Sequence, residues 1–354
     1  MPRSKIIGPQ GNLGRRNIII NGGMQISQRI GTTATAITGG NYGIDRWHTY
    51  YDGNSYTTQQ VTDAPAGFYN SIKLTVTGTT TPNYSFFGQR IEGLNVNRIG
   101  LGTANCKPFT VSFYVKSSVA GVYSISMTNG AGNLSYPVQY TINSANTWER
   151  KSMTIPPITS GTWVKDTTNG LYLRMNLGSP GSRTAAANGW RSGNFDGADG
   201  STGGVTWATT SGATFYMTGC QIEVGSEVTE FEHRSFAEEL TLCKRYYQRV
   251  SADAAYDYGA VTVAVATNSA WYCPFVFDGL MRGDPTLSFS AAGDFRVTLQ
   301  HSNSTQASSI SIAYNHNDRI MLGVQAGSNN AGNGTRMFGF SGASAGWIAF
   351  SSEL

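Results

Sequence analysis

The sequence predicts an all-β protein, and three observations support this fold class. Glycine (43), tyrosine (18) and phenylalanine (16) are abundant among the 354 residues, and only 13% of the residues are charged. Such a composition is typical of sheets joined by tight turns and disfavours helical bundles. Apolar and polar residues alternate in several segments, as in FTVSFYVKSS, where Val111, Phe113 and Val115 share one face. Turn-forming residues separate these segments at the spacing of an antiparallel sandwich.

Most of these segments lie in the N-terminal two thirds of the chain. Residues 1–16 are rich in Gly, Arg and Pro and are predicted to form an arm. NIIINGGMQISQR (17–29) has the Asn-Gly-Gly turn of a hairpin. The further predicted strands are YGIDRWHTYYDG (42–53), FTVSFYVKSS (109–118), VYSISMTN (122–129), WERKSMTI (148–155), LYLRMNL (171–177) and ATFYMTGCQIEV (213–224). We assign residues 17–234 to one β-sandwich domain.

A single amphipathic helix follows this domain. Ser235 and Glu238 have the spacing of a capping box, in which each side chain accepts a hydrogen bond from an amide of the first turn. An apolar stripe at helical spacing contains Phe236, Leu240, Cys243 and Tyr247. We therefore predict a linking helix within residues 235–249, with Phe236 and Leu240 buried against a sheet.

After the helix, residues 250–354 return to strand patterns and are predicted to form a smaller C-terminal β sandwich. Its strand segments are YGAVTVAVATN, WYCPFVFD, TLSFS, FRVTLQ, SISIAY and RIMLGVQAG. Four aromatic residues of this domain are predicted to be exposed on a surface shared between subunits, because so few charges accompany them: Tyr272, Phe275, Phe277 and Phe289.

Charge and cysteine content exclude several function classes. The formal net charge is only +4, from 25 basic and 21 acidic residues, and the basic residues form no stripe, so no nucleic-acid partner is expected. No apolar run is long enough to cross a membrane, and the N-terminus lacks the pattern of a signal peptide. The four cysteines lie far apart with no C-x-x-C pair, which predicts buried free thiols and no zinc site.

Three of these segments, taken in order, resemble a known family. NIIINGGMQISQR, YGIDRWHTYYDG and ATFYMTGCQIEVGSEVTEFEHRSFAEELTLCKRYYQR are similar to a pattern common in bacteriophage tail-fibre and minor-tail virion proteins, and the resemblance covers residues 17–249, with a weaker echo at 281–290. It implies an N-terminal jelly roll similar to carbohydrate-binding modules, followed by a variable C-terminal domain. It also implies a homotrimer, located in the virion and in contact with other virion proteins. The resemblance transfers no catalytic residues.

Enzymatic chemistry finds little support in the sequence. Glycoside hydrolysis requires two carboxylates across the scissile bond, and the candidates are Asp196, Asp199 and four glutamates near the helix, Glu223, Glu227, Glu230 and Glu232. The aspartates lie in a Gly-rich loop and the glutamates at a strand end, unlike the rigid places where carboxylate pKa values are tuned. We expect no enzyme and no cofactor. Asp196 and Asp199 are also the candidate ligands of a structural calcium ion.

A long connection carries the candidate binding site. SPGSRTAAANGWRSGNFDGADGSTGG (179–204) is too long for a tight turn, and such loops are usually binding loops or disordered. Glycan-binding sites combine flat aromatic faces with amide and carboxylate groups. The residues of this type in and beside the connection are Trp190, Asn188, Asn194, Phe195, Asp196, Asp199 and Trp207. We predict that Trp190 stacks on a host-surface glycan.

Three functions therefore remain open. The first is a non-enzymatic virion protein of the tail fibre or tail tip that attaches to a host glycan. The second is an architectural capsid decoration or baseplate component that binds only virion proteins. The third is a glycan depolymerase.

Overall fold

The structure is a computed structural model that describes residues 15–37, 39–53, 55–252, 261–267, 270–298, 304–326, 336–340 and 346–354. Of the predicted arm, residues 1–14 lie outside this part of the chain. Two compact units are present: unit 1 extends to Glu239 and includes Leu354, and unit 2 comprises Leu240–Glu353. The division falls within the third helix. No helix of the described residues is both long and apolar enough to span a bilayer.

The described part of unit 1 has fourteen strands, which in chain order are β1 (Thr35–Ala36), β2 (His48–Asp52), β3 (Tyr56–Val61), β4 (Ser71–Val76), β5 (Tyr84–Glu92), β6 (Phe109–Ser117), β7 (Gly121–Asn129), β8 (Leu134–Ile142), β9 (Glu149–Ile155), β10 (Asn169–Asn176), β11 (Thr184–Ala185), β12 (Arg191–Ser192), β13 (Gly197–Ala198) and β14 (Thr214–Val224). Its helices are α1 (Gly93–Val96) and α2 (Thr202–Thr209), with short 3₁₀ turns at Asn97–Ile99 and Gly181–Arg183.

Two six-stranded antiparallel sheets form the body of unit 1. The first sheet has the order β1-β3-β4-β14-β6-β9 and the second the order β12-β8-β7-β10-β5-β2. Both sheets contribute side chains to one apolar core, in which Val111, Phe113 and Val115 are fully buried on one face of β6. The predicted all-β, jelly-roll-type sandwich is confirmed, because the alternation of period two sends every second side chain into this core.

The segment 17–29 is not the predicted hairpin, since it contains no strand in the described residues. Its turn instead approaches β14: the Ile18 amide donates to the Ile222 carbonyl (2.9 Å) and the Cys220 amide to the Gly22 carbonyl (3.0 Å). A Cβ at Gly22 would lie 2.1 Å from the Cys220 carbonyl oxygen, so glycine is required for this close approach. The Asn-Gly-Gly sequence therefore serves a contact with β14 and not a hairpin turn.

Helix α3 (Phe236–Lys244) starts where the sequence predicted and is shorter at its C-terminus. The Glu238 amide donates to Ser235 Oγ (3.3 Å), which is one half of the predicted capping box. Phe236 is 60% exposed, however, and Leu240 is half-buried, so the predicted burial of Phe236 is wrong. The buried position is Glu239, whose carboxylate pairs with Arg234 (3.2 Å) and accepts the Asn21 amide (2.6 Å). In the first half of the helix, the polar contacts of Glu239 therefore take the place of the expected apolar contacts.

In its described residues unit 2 has nine strands, β15 (Tyr247–Ser251), β16 (Val261–Thr267), β17 (Ala270–Val276), β18 (Thr286–Phe289), β19 (Phe295–Thr298), β20 (Ser304–Asn315), β21 (Arg319–Ala326), β22 (Arg336–Phe340) and β23 (Trp347–Ser351), with a 3₁₀ turn at Ala292–Asp294. Six strands close into a barrel in the order β16-β17-β21-β20-β19-β22, and β15-β23-β18 form a separate sheet. The unit is a β domain as expected. Strand alternation alone does not distinguish this closed barrel from two stacked sheets.

The aromatic residues of unit 2 mostly face its core, contrary to the predicted exposed surface. Phe277 is 6% exposed, while Phe275 and Phe289 are half-buried against the apolar cluster around Phe295 and Phe350. Of the four predicted residues only Tyr272 is exposed, at 36%. Among the described residues of this unit, Val276, Leu280 and Tyr314 expose more of their surface than Tyr272 does.

Candidate functional site

The connection after β10 is structured, which differs from the flexible loop that its composition indicated. It contains the parallel pair β11–β13, the pairing of β12 with β8, and helix α2. The connection crosses the outer face of the second sheet, since Ala198 donates to Ser124 of β7 (2.9 Å) and Gln139 of β8 donates to the Asp199 carbonyl (2.5 Å).

Asp196 is the anchor of this segment. Its carboxylate is fully buried and accepts hydrogen bonds from Arg174 Nη1 (2.9 Å), Arg183 Nε and Nη2 (both 3.0 Å) and Ser179 Oγ (3.0 Å). Arg174 in turn lies over the rings of Tyr172 (4.5 Å) and Phe86 (5.0 Å). Burial lowers the pKa of Arg174 from its ordinary value, and the nearby Tyr172 and Asp196 oppose that shift.

These contacts correct two predicted roles of Asp196. A fully buried carboxylate does not face a glycan, and two guanidinium groups beside it disfavour a calcium ion. Asp199 is exposed, and its Oδ1 accepts a hydrogen bond from Thr184 Oγ1 (2.6 Å). The described residues contain no group of three or more His, Cys, Asp or Glu side chains placed to hold a metal ion.

Trp207 is also removed from the candidate ligand surface. It lies in α2, is fully buried, and packs edge-on against Tyr56 (5.8 Å) and Phe215 (6.3 Å). Asn194 is exposed, but its Oδ1 accepts a hydrogen bond from Arg174 Nη1 (2.7 Å). Phe195 is half-buried. Asn194 therefore supports the anchor, while the Phe195 amide donates to Ser135 Oγ of β8 (3.0 Å).

Trp190 remains half-exposed and belongs to an aromatic cluster that the sequence analysis did not identify. Its ring packs edge-on against Trp163 (5.7 Å, interplanar angle 84°) and Tyr136 (5.3 Å). Trp163 is half-exposed as well and lies in the connection between β9 and β10. We call Trp163 and Trp190 the tryptophan pair.

Both indoles of the tryptophan pair are fixed by backbone groups. Trp190 Nε1 donates to the Pro156 carbonyl (3.2 Å), and Trp163 Nε1 donates to the Ser160 carbonyl (3.1 Å). Asn188, two residues before Trp190, is exposed and has a left-handed backbone conformation (φ 61°). Its backbone amide donates to the Pro137 carbonyl (2.9 Å). The pair is therefore a rigid, partly exposed aromatic surface, and the exposed Asn188 lies two residues from Trp190 in the chain.

A groove lies elsewhere on the same segment and shares no residue with the tryptophan pair. Its volume is about 390 Å³. It is lined by Ser179, Pro180, Gly181, Thr184, Ala198, Asp199, Gly200, Ser201, Thr202, Val205 and Thr206. Hydroxyl groups and the Asp199 carboxylate can bond to a ligand there, but the lining contains no aromatic ring for stacking.

The glutamates near α3 are occupied in structural contacts. Glu223 is buried and accepts hydrogen bonds from the Thr229 amide (2.9 Å) and Gln221 Nε2 (3.0 Å). Glu232 accepts the amides of Arg16 (2.9 Å) and Asn17 (2.7 Å), and Glu230 pairs with Arg150 (3.3 Å). Glu227 is exposed. The engaged carboxylates hold the chain around β14 in place.

Proteins of known structure are similar to part of this chain. A domain of bacteriophage CBA120 tailspike protein 4, described as enzymatically active, aligns with 59% of this chain at 14% identity (TM-score 0.33), and this chain covers only 21% of it. A putative sugar binding protein from Bacteroides thetaiotaomicron aligns over its whole length with 59% of this chain, at 13% identity (TM-score 0.33). A family 11 carbohydrate-binding module from Clostridium thermocellum also aligns over its whole length with 59% of this chain, at 14% identity (TM-score 0.27).

No protein-family model and no curated protein matches this chain. We therefore infer its function from the sequence pattern and from its own side chains.

Proposed function

We propose that the protein is a non-enzymatic structural component of a phage virion, in a tail fibre or tail tip, and that unit 1 attaches to a host-surface glycan through the tryptophan pair. The sequence pattern over residues 17–249 supports the virion setting. The rigid, half-exposed pair of Trp163 and Trp190 carries the proposal of glycan binding.

The physical reason lies in the geometry of the pair. A pyranose ring has an apolar face that packs on an indole, and its hydroxyl groups bond to polar side chains such as that of Asn188. Because backbone carbonyls already hold both indoles, binding orders few further side-chain torsions and loses little conformational entropy. The buried Asp196 anchor keeps the segment that carries Trp190 in position.

The test is glycan binding by the full chain on a glycan array, and host-cell adsorption by assembled particles. Trp190→Ala and Trp163→Ala should each weaken binding at least about tenfold, since aromatic residues dominate such contacts. Trp190→Phe should retain part of the affinity. Tyr69→Ala is the matched control, because Tyr69 is 77% exposed and lies outside the pair.

Unchanged adsorption by both tryptophan variants, with intact oligomers, would contradict glycan binding at this surface and favour the purely architectural function. Release of reducing sugar from host polysaccharide by the purified chain would contradict the non-enzymatic part of the proposal.

A specific feature of unit 2 supports the architectural and oligomeric part of this proposal. Val276 and Tyr314 are 75% and 73% exposed. Cross-strand pairing places Pro274 of β17 and Tyr314 of β20 opposite the same residue, Met321 of β21, so apolar groups continue across three neighbouring strands. We expect this surface to be covered in a homotrimer. Light scattering at micromolar concentration should give three times the chain mass, and a monomer mass would refute the expectation.

A further inference from the structure

The outer face of the first sheet carries a second group of aromatic and charged residues, all of them outside residues 179–207. Tyr216 of β14 lies opposite Lys73 of β4 on one side and Lys116 of β6 on the other. Its neighbours Phe215 and Met217 are fully buried in the core, so Tyr216 belongs to the outward side of the strand. Together with Asp63 and Trp148, these three residues form what we call the Tyr216 cluster.

Most of the Tyr216 cluster is fixed in place. Lys116 Nζ lies 4.3 Å from the centre of the Tyr216 ring and 5.2 Å from that of Trp148. The same ammonium group forms an ion pair with Asp63. Asp63 Oδ1 also accepts a hydrogen bond from Trp148 Nε1 (3.1 Å). Tyr216 and Trp148 are both half-exposed, with ring centres 6.2 Å apart and planes at 68°. The cluster therefore presents two aromatic rings of defined orientation.

The charges of the cluster do not cancel. Burial raises the pKa of Asp63, but the contacts with Lys116 and Trp148 outweigh this effect and hold the pKa below its ordinary value. Asp63 is thus ionised at neutral pH and neutralises Lys116. Lys73 Nζ lies 5.8 Å from the Tyr216 ring centre and, among the described residues, makes no ion pair. Lys73 also lowers the pKa of Asp63, but one carboxylate cannot neutralise two ammonium groups, so one positive charge remains uncompensated beside the rings.

We propose that the Tyr216 cluster is a second saccharide-binding site, specific for sugars that carry a carboxylate. Tyr216 and Trp148 would contact the apolar face of the sugar ring, and the Lys73 ammonium would pair with the carboxylate. Lys116 and Asp63 are positioning residues. They hold the two rings in place, and their opposite charges neutralise each other, so neither charge pairs with the sugar carboxylate. A nucleic-acid chain needs several unpaired cations along its path, whereas this site offers one.

The test compares a uronate polymer with its neutral ester. The full chain is run in affinity electrophoresis through gels containing polygalacturonate, alginate or hyaluronate, and through a gel containing fully methyl-esterified polygalacturonate. We expect retardation by at least one acidic polymer, loss of retardation on esterification, and weaker retardation as the salt concentration rises.

Matched variants assign the effect to the cluster. Lys73→Gln should weaken binding to the acidic polymer at least about tenfold, as should Tyr216→Ala. Lys107→Gln removes the same charge from an exposed lysine outside the cluster and should leave binding unchanged. Trp190→Ala should also leave it unchanged, which separates this site from the tryptophan pair. Urea unfolding of Lys73→Gln confirms that the variant is folded.

Three results would each overturn the proposal. These are equal retardation by the acid and the ester, equal loss in Lys73→Gln and Lys107→Gln, and the absence of retardation by all three acidic polymers. None of them bears on glycan binding at the tryptophan pair, which Trp190→Ala and Trp163→Ala test independently.

Discussion

Replacement of the buried Asp196 by Ala should destabilise unit 1 strongly. The change removes the acceptor of four hydrogen bonds, from Arg174 (one), Arg183 (two) and Ser179 (one). Arg174 is only 8% exposed and is left as an unpaired buried cation, which costs about 3–5 kcal/mol in comparable cases. Arg183 is 30% exposed and adds little, because water solvates its guanidinium group.

The free energy of unfolding, measured by urea titration with tryptophan fluorescence, should therefore fall by about 3–5 kcal/mol. For a domain of this size, that loss corresponds to a decrease in Tm of about 6–20 °C. Asp199→Ala is the matched control, because its carboxylate is exposed and accepts one side-chain hydrogen bond, from Thr184 (2.6 Å). It should cost less than about 1 kcal/mol. Similar losses in both variants would refute the assignment of Asp196 as the anchor.

Three further predictions concern titration, thiol reactivity and the helix. Burial, and then Arg90, Arg46 and Arg174, hold the pKa of His48 well below its ordinary value. Because the unfolded chain takes up a proton at His48 before the folded protein does, the free energy of unfolding falls as the pH drops below the unfolded pKa of about 6.5, by up to about 1.4 kcal/mol per pH unit. Urea titrations between neutral and mildly acidic pH should show this loss in the wild type and not in His48→Gln. In the native protein a thiol reagent should modify the half-exposed Cys106 first, because burial raises the pKa of Cys220, and that of Cys273 to about 12. Cys220, Cys243 and Cys273 should react only after unfolding, and rapid native modification of all four thiols would contradict the structure. Leu240→Ala should cost about 1–2 kcal/mol, below the 2–5 kcal/mol of a fully buried leucine, and a larger loss of unfolding free energy would mean that Leu240 is buried in solution.

The strands β6, β7, β9, β10 and β14 were predicted because burial follows their alternation directly, whereas β3, β4, β5 and β8 were not among the predicted strands. Val111, Phe113 and Val115 are all fully buried, as the pattern of β6 requires. The segment 17–29 shows the limit of this approach. An apolar run before Asn-Gly-Gly is typical of a hairpin. In the structure, however, the Asn21 side chain donates to the carbonyls of Ile26 (2.8 Å) and Asp45 (2.9 Å), and no pair of hydrogen-bonded strands forms here. Local turn chemistry does not reveal such long-range partners.

The candidate site was only partly predictable for a related reason. Trp190 was identified because a tryptophan in a polar, Gly-rich connection has no evident core role, and it is indeed half-exposed. Trp207 met the same description and is fully buried, because α2 turns it towards Tyr56 and Phe215. Trp163, the partner of Trp190, lies in a different connection, and no local pattern links the two residues. Only the packed structure brings them together.

The polar anchoring of the segment after β10 explains why its composition indicated flexibility. The outward residues Ser124 and Asn176 of the second sheet look like positions exposed to water, yet both are buried. Ser124 Oγ accepts hydrogen bonds from Asn176 Nδ2 (3.1 Å) and the Ala198 amide (2.9 Å) and shares one with Ser201 Oγ (2.7 Å), so hydroxyl and amide groups hold the segment to the sheet. An apolar contact would have required apolar residues on both sides and would have been visible as a stripe. Because the contacts of Ser124 and Asp196 are polar, the sheet keeps the alternation of a solvent-facing strand there and the segment keeps the composition of a loop. Rigidity here therefore arises from satisfied hydrogen bonds and the Asp196 ion pairs, neither of which a hydropathy pattern records.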